Sequence, residues 1–179
     1  MKTVKYILPL LFLLAAACRE VPSYDLAAPK GDTLKENLIN ANRIIAQSEE
    51  QQIDAYLERR GWPKKKLSNG VWVAEYENSE VAPGRAIGYE DTVAIRYSVS
   101  TLGGNDIYDC RTDTVIAGHL QPTRGLDAAL RTLHENTTAR VIVPSEQAYG
   151  IVGDGDRIRT RTVLVYIVEV KQVKQCINQ

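Results

Sequence analysis

The sequence predicts an α+β domain: an antiparallel sheet wrapped around one short helix, preceded by a helical arm. Three observations predict it. The apolar period changes from helical spacing to strict alternation at Asn69-Gly70. One short amphipathic pattern, Leu126, Ala129, Leu130 and Leu133, interrupts the alternating segments. The closing segment, residues 162–170, is apolar on both faces, as a central strand covered on each side must be.

The N-terminus has the parts of an export signal. Lys2 and Lys5 precede an apolar run, residues 7–17, that ends in small residues before Cys18. That run is shorter than the about 20 apolar residues a spanning helix needs. A cysteine directly after Ala-Ala-Ala resembles a bacterial lipoprotein signal, although Ala15 stands where leucine is commonest. The resemblance implies cleavage after residue 17, lipidation of Cys18 and anchoring to a bilayer, with the protein in the cell envelope, facing the periplasm or on the outer membrane. An ordinary signal cut near Ala17, leaving a free thiol, is the alternative. Removing Lys2 and Lys5 from 22 basic and 22 acidic residues leaves a formal charge of −2. Cys110 and Cys176 then face an oxidising compartment, and two free thiols are expected.

Residues 18–32 hold Pro22, Pro29 and Gly31 with little periodic apolar content, and read as a tether. Thr33-Leu-Lys-Glu36 fits a capping box that opens a helical arm over residues 33–62. Leu34, Leu38, Ala41 and Ile45 carry its first apolar stripe, and Ile53, Tyr56 and Leu57 a second. Ser48-Glu-Glu-Gln51 either starts a new helix or continues the first, and Gly61, Trp62 and Pro63 end it. The arm is expected to pack on the domain or on another copy. The run Lys64-Lys65-Lys66 reads as a solvated loop.

From residue 69 to residue 173 the pattern is that of the sheet domain. Val71 and Val73 alternate with Trp72 and Ala74. Val93, Ile95 and Tyr97 share one face of the next strand, and residues 102–106 make a hairpin connection. Ile107, Tyr108 and Asp109 return, and residues 115–118 form a further short piece. Thr123 is the candidate cap of the helix. Residues 139–150, Ala-Arg-Val-Ile-Val-Pro-Ser-Glu-Gln-Ala-Tyr-Gly, give a strand and a turn that presents Tyr149.

The composition, 44% apolar and 25% charged with zero net charge, is that of an ordinary globular chain with no basic face for nucleic acid. His119 and His134 are the only histidines, and no Cys/His spacing points to a metal. Asp154-Gly-Asp156 lacks the acidic ladder of a calcium loop. It reads as a solvated turn beside the site, with carboxylates that favour basic peptides.

The order strand with Tyr97, glycine hairpin, Tyr108-Asp109, short helix, strand ending Pro144-Ser-Glu-Gln-Ala-Tyr149-Gly150, loop and last strand resembles the FKBP-type peptidyl-prolyl cis-trans isomerase domain. The resemblance implies rotation of X-Pro bonds in an apolar cleft, without a cofactor, on proline-containing polypeptides. It places Asp109 and Tyr149 in catalytic positions, the tyrosine hydroxyl bonding the substrate carbonyl. Tyr97, Tyr108, Leu126, Ile158 and Tyr166 would line the substrate site.

The same resemblance marks changes. Leu126 stands where the family has a tryptophan floor. Tyr108 and Tyr166 stand where phenylalanines are usual. Pro122 and Thr123 occupy the two positions before the helix that bond ligand backbone, and Pro122 has no amide to donate. The loop after Asp109 is about five residues shorter, with Asp113 near the place of a lost phenylalanine, and Arg111 is the candidate partner of Asp109. Asn136 replaces a glycine and tolerates the left-handed backbone. Two readings follow: an isomerase or folding assistant of weakened activity, or a catalytically inactive binding module that recruits an envelope protein.

Overall fold

The structure, a computed structural model, describes residues 31–63, 65–76 and 82–175. The expected signal, Cys18, residues 18–30 of the tether and Cys176 lie outside the described residues. Residues 40–179 form one compact unit, separate from residues 1–39, and the contacts given below lie within it.

Helix α1 spans Gly31–Arg60, followed by strands β1 (Lys65–Lys66), β2 (Trp72–Tyr76), β3 (Thr92–Thr101) and β4 (Asp106–Ile116). Helix α2 (Arg124–Leu130), β5 (Thr138–Val143), a 3-10 turn (Ser145–Gln147) and β6 (Leu164–Lys174) complete the chain. The six strands form one antiparallel sheet in the order β1-β2-β5-β6-β3-β4. The fold is the α+β arrangement that the alternating and helical periods predict.

The register explains the two apolar faces of β6. Val141 pairs with Tyr166 and Val143 with Leu164, so these four point to one side. There they meet Leu126, Ala129, Leu130 and Leu133 from α2 and the segment after it. Ile142 pairs with Val165 and points to the other side. That side is covered by Ile53, Tyr56 and Leu57 of α1, with Val163, Trp62, Trp72 and Leu102 alongside. The second stripe of the arm therefore packs on the domain, while Leu34 and Leu38 of the first are exposed.

Several local expectations need correction. The arm is one uninterrupted helix, so Ser48-Glu-Glu-Gln51 continues it. It starts at Gly31, which puts Thr33 inside its first turn; helix ends are defined only to one or two residues. Its end follows the glycine logic. Gly61 sits at φ 63°, its amide donates to the Glu58 carbonyl at 3.2 Å, and the Trp62 amide donates to the Leu57 carbonyl at 3.2 Å. Lys65 and Lys66 form a short edge strand on β2 in place of a loop. Lys66 lies over the Trp72 ring and pairs with Glu50.

The largest difference is in β4. The expected pieces on either side of residue 110 are one continuous strand. Tyr97 pairs with Arg111 and Val99 with Tyr108, so an extra residue is absorbed opposite Ser98. Cys110 takes a left-handed φ of 49° at that bulge and is exposed, with a free thiol. A bulge needs far less chain than a loop, which is why the segment is short.

The packing of the arm yields a prediction. Leu57→Ala should lower unfolding free energy by roughly 2–5 kcal/mol, because it leaves a cavity against β5 and β6. Ile44→Ala, on the exposed side of the same helix, should fall within about 0.5 kcal/mol of wild type. Equal effects in denaturant titrations would mean that the arm does not pack as described.

Candidate functional site

The site is built on the face of the sheet that holds α2. Tyr97 from β3, Tyr108 from β4, Tyr166 from β6, Leu126 from α2 and Ile158 from the loop before β6 join one apolar cluster, and Tyr149 packs against its edge. Six of the seven side chains singled out for catalysis or substrate binding are thus brought together. The seventh, Asp109, is not. It is exposed and lies with Arg96, Cys110, Thr138, Ile167 and Glu169 along the opposite face of the sheet. Strand alternation accounts for this, since successive side chains point to opposite faces and Tyr108 already points inward.

The carboxylate at the cluster comes from Asp154. The Tyr108 hydroxyl donates to its Oδ2 at 2.5 Å. Its Oδ1 accepts from the amides of Asp156 at 2.9 Å and Ile158 at 2.8 Å, closing a compact turn. Gly153 makes that turn possible: its φ is 75°, and a Cβ there would lie 2.3 Å from the Ile158 carbonyl oxygen. The Asp-Gly-Asp segment is therefore a fastener for Tyr108 and for Ile158, more than a free acidic turn. Arg157 donates to the Ile107 carbonyl at 3.1 Å and Arg111 stacks on Tyr108, 3.6 Å from the ring centre. Arg111 is also the strand partner of Tyr97, and its ring contact with Tyr108 stands in place of the expected pair with Asp109.

Every tyrosine of the group is held neutral. Tyr108 is pushed up to about 12, first by its hydrogen bond to Asp154 and then by burial. Burial raises Tyr166, with Tyr149 adding and a hydrogen bond from Thr123 opposing. Burial also raises Tyr149, with Tyr97 and Asp154 adding and Arg111 opposing, and it raises Tyr97 beside Asp113. Asp154 moves the other way. Burial alone would raise it, but the bond from Tyr108 and the amides of Asp156, Ile158 and Arg157 together hold it below the usual carboxylate range. At neutral pH the group therefore offers hydroxyl donors and one ionised carboxylate that is already committed.

The cluster is closed to solvent. Leu126 is 0% exposed, Tyr166 1%, Tyr97 8% and Tyr108 9%. Tyr97 and Tyr166 lie with ring centres 6.0 Å apart and planes tilted by 48°. Tyr149 is half-buried, and next to it Ile151 and Val152 are exposed. The accessible part of the site is this rim.

Thr123 is at the helix start, as expected, with its Oγ1 accepting from the Leu126 amide at 3.2 Å. Asn136 takes φ 63°. Gly125 sits against β5, where a Cβ would meet Val143 Cγ1 at 2.3 Å. Among the described residues no group of three or more metal-ligating side chains comes together.

The matches to known proteins agree with this geometry. Residues 84–171 match the family model for FKBP-type peptidyl-prolyl cis-trans isomerase. The domain is of the FKBP type. A Pseudomonas aeruginosa protein, "Probable FKBP-type 25 kDa peptidyl-prolyl cis-trans isomerase", is 29% identical over 106 residues. The match covers 59% of this chain but only 45% of that protein. A peptidyl-prolyl cis-trans isomerase from Pseudomonas syringae pv. tomato superposes with a TM-score of 0.57 at 22% identity, covering 74% of this chain and 96% of its own. FkpA from Escherichia coli gives 0.55 at 18% identity, covering 97% of this chain and 83% of its own. At these identities the two structures speak for the fold.

The Tyr108–Asp154 bond predicts a two-sided pH dependence. Asp154 lies below its ordinary 3.8, so its contribution is complete above that value and is lost as pH falls through the lowered one. Tyr108 lies above its ordinary 10.0, so its contribution is complete below 10 and is lost as pH rises through about 12. The stability difference between wild type and Tyr108→Phe should therefore be flat between about pH 5 and 9 and shrink beyond both edges. A difference that is constant across the whole range would remove the bond from the account.

Proposed function

We propose that the protein is a membrane-anchored, proline-directed isomerase or folding assistant of the cell envelope, with low catalytic power. One observation carries the reading: in an FKBP-type domain, the half-buried Tyr149 stands at the rim of an apolar cluster built from Tyr97, Leu126, Ile158 and Tyr166. The reaction needs no nucleophile and no cofactor. An X-Pro bond crosses a barrier of about 18–20 kcal/mol by rotation. Catalysis requires only that the twisted amide be bound better than either planar form. An apolar wall strips water from the planar carbonyl, and the Tyr149 hydroxyl, kept protonated by its surroundings, donates to the carbonyl oxygen in the twisted state.

The low power follows from magnitudes. Replacing an aromatic floor by Leu126 costs roughly 0.5–1.5 kcal/mol of contact, and a second aromatic is missing beyond Asp109. At about 1.4 kcal/mol per decade, two such losses amount to roughly ten- to hundred-fold. The closure of the cluster to solvent acts in the same direction, because the proline ring must open it or bind at the rim. That closure also favours a second reading, a catalytically inactive module that binds an envelope protein or a proline-containing segment through the same rim.

The anchor rests on Cys18 and the signal-like segment before it. Cys18→Ser should move the full-length protein from the membrane to the soluble fraction of the producing cell, and unchanged membrane association would sink the lipid anchor.

A proline-peptide isomerisation assay separates the two catalytic readings. Wild type is expected to accelerate the slow phase, Tyr149→Phe to reduce that acceleration by about tenfold, and Leu126→Trp to change it in either direction. A slow phase unmoved by excess wild type leaves the binding reading. Acceleration that is indifferent to Tyr149 puts the site elsewhere.

A further inference from the structure

The arm carries one group that its packing does not need. Ile45, Glu49, Ile53, Tyr56 and Leu57 lie on one stripe of α1, with Ile45 half-buried and the others buried. Four of the five are suited to an apolar interface. Glu49 is not, yet it is only 7% exposed. A carboxylate at such a place costs more than an apolar side chain unless its oxygens are bonded. Both are. Glu49 Oε2 accepts from the Ser145 amide at 3.0 Å, and Oε1 accepts from the Ser145 hydroxyl at 2.5 Å. Ser145 lies 96 residues further along the chain and is 2% exposed.

Ser145 is also where the tyrosine turn is fastened. Its carbonyl accepts from the Ala148 amide at 3.1 Å and from the Gly150 amide at 2.8 Å, the residues on either side of Tyr149. Every polar group of Ser145 is thus engaged, two by the arm and one by the turn. Gly150 holds the far side, with its carbonyl accepting from the Arg161 amide at 2.7 Å.

We propose that Glu49 is a positioning residue for Tyr149: through both hydrogen bonds to Ser145, the arm sets where the tyrosine turn sits at the site. The proposal rests on the isomerase reading for its effect on rate. Its structural content does not. Without the carboxylate, the amide and hydroxyl of Ser145 lose their partner in a buried place, and the turn is free to shift with them. An interaction of a buried charged acceptor with two donors is strong enough for its loss to be felt over one turn of chain.

The test uses the full chain with Glu49→Gln, Glu49→Asp, Ser145→Ala and Glu50→Gln, the last a neighbouring exposed glutamate. Amide hydrogen exchange at Ala148 and Gly150 is read first. Glu49→Gln is expected to speed it about tenfold or more, Ser145→Ala less, because the amide bond to Glu49 survives, and Glu50→Gln not at all. The double variant Glu49→Gln with Ser145→Ala should fall short of the sum of the two. Exchange at these amides unchanged in Glu49→Gln, or raised only in step with the whole domain, overturns the proposal whatever the activity. Where wild type shows isomerase activity, kcat should fall about tenfold in Glu49→Gln with KM nearly unchanged and recover in part in Glu49→Asp. An altered exchange pattern in a protein without isomerase activity would refute the functional reading and leave the positioning role standing.

Discussion

Strand β6 needs apolar cover on both sides, along residues 164–170 on one and at Val165 on the other. Leu164, Tyr166, Val168 and Val170 need one cover and Val165 needs another, and burial of apolar surface at about 25 cal/mol per Å² is the main term that holds such a strand. The sheet alone supplies neither cover. Helix α2 closes one face and α1 covers the Val165 end of the other, with Ile167 left exposed, so the arm belongs to the packing of the domain. The site is then placed by the same constraint: Tyr166 is both the centre of the α2-side core and the inner wall of the cluster below Tyr149.

That double use explains why the cluster is closed to solvent. A core position tolerates no void larger than about a methyl group without cost. Leu126 at the start of α2 is fully buried, and Tyr97 and Tyr166 lie in the same core with tilted rings. A deep empty cavity at this place would need a rigid frame of larger rings. The exposed Ile151 and Val152 beside Tyr149 move the accessible apolar surface outward, from the floor to the rim. Tightness in the core and depth of the cleft are here in direct competition.

Much of this was legible in the residues. The alternation of Val93, Ile95 and Tyr97 and the two-sided apolar run of β6 follow from strand period alone. The tripeptide Ala148-Tyr149-Gly150 and its flanks placed Tyr149 beside Tyr97, Leu126 and Tyr166. Asp109 shows where such reading stops. The resemblance puts Asp109 in the site together with Tyr108, but neighbours on a regular strand point to opposite faces, and with Tyr108 inside, Asp109 is exposed. Asp154 and Glu49 failed for a different reason. Each is a carboxylate in a polar stretch, and only the fold brings Tyr108 to the one and Ser145 to the other. Glu49 did leave a trace, since it continues the stripe of Ile53 and Leu57 at a spacing where an apolar residue is the ordinary choice.

The hydroxyls of the site tie these points together. A tyrosine in a core brings a polar atom that must find a partner, whereas a phenylalanine does not. Tyr108 finds Asp154. That partner lies on the loop before β6, while Tyr108 lies on β4. The aromatic position thereby becomes a tie between two segments that would otherwise meet only through apolar contact. Such a tie, once satisfied, specifies one arrangement more sharply than methyl packing does. Tyr149 stands apart from it. Its surroundings keep it protonated, and at the half-buried rim its hydroxyl is the one best placed to meet a group from outside.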